Sequence, residues 1–594
     1  MNSAGRARNA YSRASTFSHE TMPHSRSLAR ALLLLLFGAA LSIPLGAPIG
    51  AQSRATPGYH NAARFNAVLD SIARAKPALV KVSTLATSPG RRPVQLVRIG
   101  ADDKPALLIL AGAYGPQVSS SEVALRIIRD IARGHGSDTA ITNLLATNTI
   151  YVIPRMNPDA SETFFGALRW ERRGNEQKDD EDRDHAMDED GPDDLNGDGL
   201  ITMMRVRSPE GTWIPDSVDP ALMRRADPTK GERGVYKIMI EGRDDDGDEK
   251  YNEDGAGGTD ISRNFANNFA WFTPNSGLHP FSDLESRAVA EFVSTQLNIG
   301  AIYVLGMQDN LIKAWEGRRV PGISGSPQGT SAGGPLTAPL SEDTWWFTEA
   351  SRRFKATTGL SEGPASAADQ GDPLSWAYFH MGRYGFGSRV WWPGKAPADT
   401  AAARKAPTPD PLADERNAYR WMQANDPAGF VQWTAVRGYT IDGEAVEVGG
   451  FAPGAMLNPA AATLDSLATK QTAFVVEMTG LLPSVRTDRL RVTEVGPRVY
   501  RVSIDVVNDR YLSTNAAIGV RSRLPMRVKV ELTLGRGQTL SSGRRIDFIN
   551  ALRGSGGRES HEWVVVGDAG STLTLTVGSP HAGMTTQTIT LRAR

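Results

Sequence analysis

The chain has 594 residues, 40% of them hydrophobic, enough to bury at least two cores because single cores stop growing near roughly 250–300 residues. Lysine plus arginine and aspartate plus glutamate both number 66, so no global field draws the protein to nucleic acid or to an anionic membrane. Cysteine is absent, which excludes disulfides, thiolate metal sites and a cysteine nucleophile, and leaves any metal to histidine and oxygen ligands.

An Arg-rich stretch ending at Arg30, the apolar run ALLLLLFGAALSIPLG and small residues around Gly50 and Ala51 read as a secretory signal peptide over 1–51. The alternative is an uncleaved anchor, although this run is short and interrupted by Gly and Pro for a span. No later run reaches roughly 18 apolar residues, so the expectation is a mature chain without a membrane span, secreted or periplasmic.

Residues 61–85 carry a helical pattern through Phe65, Val68, Leu69, Ile72 and Ala73. VQLVRIG and PALLILAG then predict consecutive strands with a turn at Asp102 to Lys104, and SSEVALRIIRDIAR predicts a helix whose serines cap its start. NTIYVIPRMNPD is a further strand ending in a polar loop. Strands alternating with helices predict a largely parallel sheet covered on both faces, with sites at the carboxyl ends of its strands. AGAYGPQ and MNPD fall at such ends.

From about Asp179 to Asp260 the chain is acidic and Gly-rich with no apolar period, an insertion expected to be organised by something other than burial. Residues 282–296 return to helical period, IGAIYVLGMQDN reads as a strand running into a loop, and SWAYFHMGRYGFGSRVWWP as a further strand region. Beyond Gly480 the alternation in VYRVSIDVVND, MRVKVELTLG, EWVVVGD and STLTLTVGS predicts an antiparallel sandwich over 481–594, after an α/β domain over 52–480.

The order of these segments resembles the zinc-carboxypeptidase family, carboxypeptidase A-like. That family runs Gly-x-His-x-x-Glu, Asn-Pro-Asp, Asn-Arg-Asn, a second metal histidine after a strand, then a strand bearing the general base. This chain shows AGAYGPQ at 111–117, NPDA at 157–160, GTDISRNFANNF at 258–269, PFSDLESRAVAEFV at 280–293 and WAYFHMGRYGFGSRVWW at 376–392. The resemblance covers roughly 60–480 and implies a carboxypeptidase-like mixed, mostly parallel sheet flanked by helices, with the β-sandwich like one appended to some bacterial members.

The family's chemistry needs three protein ligands on Zn²⁺, an open position for water and a carboxylate to take the water's proton. At the matching positions stand Tyr114, Gln117 and, near Gly306, no histidine between His279 and His380; Arg389 matches the general base and cannot accept a proton. Glu477 in AFVVEMTG also resembles a strand ending in a base, and His380 is the one histidine near the implied pocket to test as ligand or base. Arg263 matches a carboxylate-clamp arginine of the family and Arg172 or Arg173 another, which implies a pocket for an anionic peptide end.

Inside the insertion, Asp194, Asn196 and Asp198, then Asp244, Asp246 and Asp248, and the alternating Asp180, Asp182, Asp184 and Asp188 offer oxygen ligands for calcium. Arg205 and Gly255 occupy the twelfth positions, so these are not EF-hands. The expectation is a non-catalytic carboxypeptidase relative that holds a peptide or serves as a scaffold. Two other readings stay open: an active metallocarboxypeptidase with an unrecognised zinc site, and an adhesion module acting through the sandwich.

Overall fold

The run ALLILA at 106–111 is apolar at every position, a pattern a strand can satisfy only when both of its faces are covered. In a computed structural model this run is strand β3 (Ala106–Ala111), buried from end to end. The structure describes residues 58–592 apart from 179–184, 186, 189, 248, 253–254, 256, 318–335, 337, 365, 368–369 and 395–411. The signal segment, and Asp180, Asp182, Asp184 and Asp248 of the acidic runs, lie outside these residues.

β3 sits in a six-stranded sheet ordered β1 (Val80–Thr87), β2 (Pro93–Ile99), β4 (Thr149–Ile153), β3, β9 (Ile299–Leu305) and β10 (Tyr384–Ser388). β4, β3, β9 and β10 run parallel, and β1 and β2 are antiparallel at one edge. The period of two divides β3 between two cores. Leu107 and Ile109 pack with helices α1 (Ala62–Ala75), α2 (Val118–Gly134), α3 (Thr139–Thr147), α6 (Thr344–Thr358) and α9 (Leu464–Gly480). Leu108 and Leu110 pack with α5 (Leu284–Thr295) and with Leu374 and Trp376 of α7 (Pro373–Phe379).

Three local expectations are corrected. The helix predicted over 61–85 stops at Ala75, because Lys76 precedes Pro77 and is pushed out of helical backbone; Val80–Thr87 then pairs with β2. The strand predicted over SWAYFHMGRYGFGSRVWWP is a helix followed by a short strand: Asp372 accepts the Leu374 and Ser375 N–H groups and Pro373 opens α7, a start signal that outweighs the aromatic content. The serines of α2 lie inside the helix and do not cap it. Ser119 Oγ donates to the Leu457 carbonyl, and Ser120 Oγ to that of Gln117.

The acidic insertion does bury a core, contrary to expectation. β5 (Met203–Arg207), β6 (Trp213–Pro215), β7 (Met223–Arg225) and β8 (Tyr236–Ile240) join β11 (Phe430–Ile441) and β12 (Glu444–Phe451) in a second, antiparallel sheet. Met204 and Val206 pack against Val436, Val446 and Val448, so half of this core comes from residues too distant to show in a local pattern. Three further short helices, α4 (Pro158–Glu162), α8 (Ala413–Asn425) and α10 (Ala517–Ser522), complete the described set.

In the C-terminal region β13 (Val485–Gly496), β14 (Val499–Asn508), β18 (Gly557–Val566) and β16 (Thr539–Ser542) form one antiparallel sheet. β17 (Ile546–Ile549), β15 (Val528–Thr533), β19 (Thr572–Ser579) and β20 (Gly583–Thr590) form another. Their alternating Val, Leu and Ile side chains enclose Trp563 and Tyr500 in one core.

Candidate functional site

Parallel strands deliver their carboxyl ends to one rim, and here β3, β9 and β10 end in the Gly112–Gln117 turn, the Gly306–Asn310 loop and Arg389. Backbone bonds hold these ends together: Gly306 N donates to Ser388 O at 3.2 Å, and Asn157 N to Gly112 O at 2.8 Å. Beside them lies a cavity of about 620 Å³, lined by Tyr114, Met307 and Arg389. Trp392, Asp414 of α8 and Leu457 of the loop after β12 close its other sides. Tyr114 and Arg389, far apart in sequence, therefore share one wall.

Charges of both signs lie around Tyr114. Arg173 lies 5.7 Å from the centre of the Tyr114 ring, and Glu171 lines the cavity while accepting the Gly454 N–H at 2.8 Å. Glu171 is open to the cavity by surface area yet ringed by protein, and that desolvation raises its carboxyl's pKa. Burial, and then Glu171, push the Tyr114 phenol above its ordinary value, so it stays protonated at neutral pH. Arg389 donates from Nε to Met307 O at 3.2 Å; burial lowers its pKa, and Asp309 and Asp414 oppose that. Asp309 itself is buried, its Oδ1 held by the Leu311, Ile312 and Lys313 N–H groups, and burial pushes its carboxyl up to about 6.

Gln117 is 1% exposed, and neither atom of its side-chain amide has a hydrogen-bond partner among the described residues. It precedes α2, whose open amides are met by the loop after β12. Asn458 Oδ1 accepts from Ser119 N at 2.9 Å, and Asn458 Nδ2 donates to Pro116 O and Gly454 O. The second sheet thus sends a loop onto the Tyr114–Gln117 turn.

The remaining predicted residues divide. Arg173 is absent from the cavity lining but stands over the Tyr114 ring, whereas Arg172 turns to the carbonyls of Asn175 and Gly257. Arg263 bonds the Pro274 carbonyl at 3.4 Å and is absent from the cavity lining, as is His380, exposed at the end of α7. Glu477 lies on a helix, not a strand end, and pairs with Arg353 at 2.7 Å and Thr357. The sequence reading missed Glu171, Glu362, Asp414 and Trp392, which also line the cavity. Glu171 stands beside the arginines already singled out; Asp414 carried no signal, since only the fold brings α8 there.

The acidic loops are organised by backbone amides. Asp194 accepts three N–H bonds, from Gly197, Asp198 and Gly199, while Asp198 accepts from Leu200 N and Asn196 Nδ2. Asp244 takes the Gly247 and Glu249 amides, Asp188 takes that of Gly257, and Asp246 is exposed. Buried Asp190 and Glu241 tie the two loops to Asp245, Asn252, Leu195 and Thr202. Among the described residues no group of three or more His, Asp or Glu side chains is placed to hold a metal ion.

Compared with known proteins, residues 65–206 match the family described as zinc carboxypeptidase, and residues 484–590 a domain of unknown function. Carboxypeptidase A2 of Rattus norvegicus is 32% identical over 102 residues, 17% of this chain and 24% of that protein. A zinc carboxypeptidase of Saccharothrix mutabilis subsp. capreolus is 26% identical over 110 residues, 18% and 25% of the two chains. The chain therefore spans about a quarter of the length of these curated relatives. Among solved structures, thrombin activatable fibrinolysis inhibitor overlays with a TM-score of 0.37 at 12% identity, covering 71% of this chain and 73% of the other.

The family implies zinc, and the residues present do not fit it. At the positions that the resemblance matches to the three ligands are a buried neutral amide, a protonated phenol and a glycine, and at the matched base position an arginine cation. The match to the zinc carboxypeptidase family, carboxypeptidase A-like, thus lies in residues 65–206, the segment that carries the Tyr114–Gln117 turn and the Trp170–Asn175 loop.

Proposed function

We propose that this chain is a secreted relative of the carboxypeptidases that binds a peptide-like ligand in the Tyr114–Arg389 cavity without zinc-dependent hydrolysis. One observation carries the reading: the arginine standing at the family's base position lines the same cavity as the tyrosine standing at its first metal position. A guanidinium there repels a dication, has no site to accept an attacking water's proton, and attracts a carboxylate. Activating water and stabilising a tetrahedral oxyanion by zinc supply several kcal/mol each, and a Tyr, Gln and Gly set has no group to replace them. The apolar side chains of Met307, Trp392 and Leu457 supply the body of a peptide pocket, and the Arg389 guanidinium a cationic end for the peptide's carboxylate. No described helix is long and apolar enough to cross a membrane.

The test is metal content by plasma mass spectrometry after dialysis against trace zinc and calcium, with turnover of benzoyl-glycyl-phenylalanine followed in parallel. Stoichiometric zinc with turnover overturns the reading in favour of an active metallocarboxypeptidase. The reading expects neither, and expects calorimetric binding of the same peptide to be lost in Arg389→Met. Calcium at the Asp194–Asp198 and Asp244–Asp246 loops is part of the same proposal and the same measurement.

A further inference from the structure

Residues 264–282, NFANNFAWFTPNSGLHPFS, contain no Asp, Glu, Lys or Arg in a chain where charged residues are 22%. This neutral stretch is a loop that displays its large side chains. Phe272 is 96% exposed, Leu278 86% and Trp271 55%, and Leu284 is exposed where α5 begins. Contiguous exposed apolar side chains on a folded protein mark an interaction surface.

The loop's root holds the display in place. Asn264 is fully buried; its Nδ2 donates to Ser276 O, His279 O and Ser282 Oγ, and its Oδ1 accepts from Ser286 Oγ. Ser276 Oγ meets the carbonyls of Ala270 and Thr273, and Phe265 and Phe281 pack with Trp376 below. Between these anchors Asn268, Phe272, Asn275 and Phe281 all have left-handed backbone, φ 47–60°, a conformation costly for a phenylalanine. Backbone strain at Phe272 is therefore spent on pointing an unburied ring into solvent, an arrangement without benefit to the isolated fold.

We infer that the Trp271–Phe272–Leu278 loop tip inserts into the interfacial layer of an electrically neutral lipid bilayer. Its composition is that of groups which partition there: an indole, a phenyl and an isobutyl side chain carried on Asn, Ser, Thr, Gly and Pro. The absence of charge over 264–282 matches zwitterionic headgroups and gives the tip itself no attraction to an anionic surface. Two arginines at the root, Arg263 bonded to Pro274 O and Arg287 to Phe281 O and Ser282 O, sit where headgroup phosphates would lie above an inserted tip. Ring geometry argues against a sugar platform: Phe269 and Trp271 meet edge to face at 76°, and Trp271 and Phe272 at 45°, so no flat aromatic surface is presented.

The chain has no cysteine, so Thr273→Cys in the full-length protein gives one labelling site that leaves Trp271, Phe272 and Leu278 intact. It is labelled with an environment-sensitive nitrobenzoxadiazole dye and titrated with phosphatidylcholine vesicles. The expected result is a blue-shifted, several-fold brighter emission that saturates with lipid and survives 0.5 M salt, with no change for a label at exposed Val495 of the sandwich. Phe272→Gly in the same labelled background relieves the left-handed backbone and so folds at least as well, yet is expected to weaken the lipid response at least tenfold. An unchanged label on neutral vesicles, or a response confined to anionic vesicles and abolished by salt, overturns the inference. So does an undiminished response in Phe272→Gly. A response to a soluble neutral oligosaccharide, or to protein concentration alone, without a lipid response also overturns it, in favour of a sugar or self-association surface.

Discussion

Replacing Glu285 with Gln should stabilise the protein about three times as much at pH 8 as at pH 5. Glu285 is fully buried on α5; its Oε1 accepts from Asn175 Nδ2 at 3.1 Å and its Oε2 has no partner among the described residues. Desolvation, helped by nearby Asp283 and Asp159, pushes the carboxyl up to about 7 from an ordinary 4.5. The folded state therefore holds a proton between pH 4.5 and 7 that the unfolded chain has released, so stability from this group is full below pH 4.5 and lost as pH rises through 7. At 1.36 kcal/mol per pH unit the interval integrates to about 3 kcal/mol at pH 8 and falls to about 1 kcal/mol at pH 5. Glutamine mimics the protonated form and keeps the Asn175 bond, so E285Q should gain about that much over the native chain at each pH. Urea unfolding followed by tryptophan fluorescence at pH 5 and pH 8 measures both gaps. An E285Q gain that is equal at the two pH values, or a loss at pH 8, refutes the reasoning. The result bears on the cleft, because Asn175 also binds Thr259 through its backbone and so stitches the Trp170–Asn175 loop to the Thr259–Arg263 segment.

Glu122 presents the opposite case: it is buried, accepts from His60, Arg126 and, at 3.5 Å, faces Arg155, and these partners hold its pKa below the ordinary value in spite of burial. Glu122→Gln leaves Arg126 and Arg155 without their carboxylate and should cost about 3–5 kcal/mol in urea unfolding at pH 7, with the loss shrinking as pH falls from the ordinary 4.5, where the unfolded chain takes up the proton, through the lowered folded value. Asn458→Ala removes the bonds that seat the loop after β12 on the start of α2 and should cost about 1–2 kcal/mol, with faster amide exchange at Ser119 as the local readout. Glu477→Gln breaks a half-exposed bridge to Arg353 and should cost under about 1 kcal/mol; since Glu477 lies on α9 away from the cavity lining, peptide binding should be unaffected in calorimetry.

What the sequence by itself determined is chemical and local. ALLILA, TIYVI and IGAIYVL are unbroken apolar runs, so their burial on two faces and their parallel pairing followed from composition alone. The order of landmarks predicted that Tyr114 and Arg389 share a site, and both line one cavity. The last strands of the chain were legible because their alternation is a nearest-neighbour property. Tertiary structure decided whatever depends on residues remote in sequence. Only folding brings β11 and β12 to the acidic insertion and gives Met204 and Val206 a core, and only folding carries Asp414, Trp392 and Leu457 to the cavity and leaves Arg172, Arg173 and Arg263 out of its lining. It also assigned Glu477 to a helix, where a run such as AFVVE fits either period until its neighbours are known. The physical reason is the same throughout: a backbone pattern reports which faces must be buried, whereas a site is set by which loops the sheet order brings to one end, and no local pattern encodes that order.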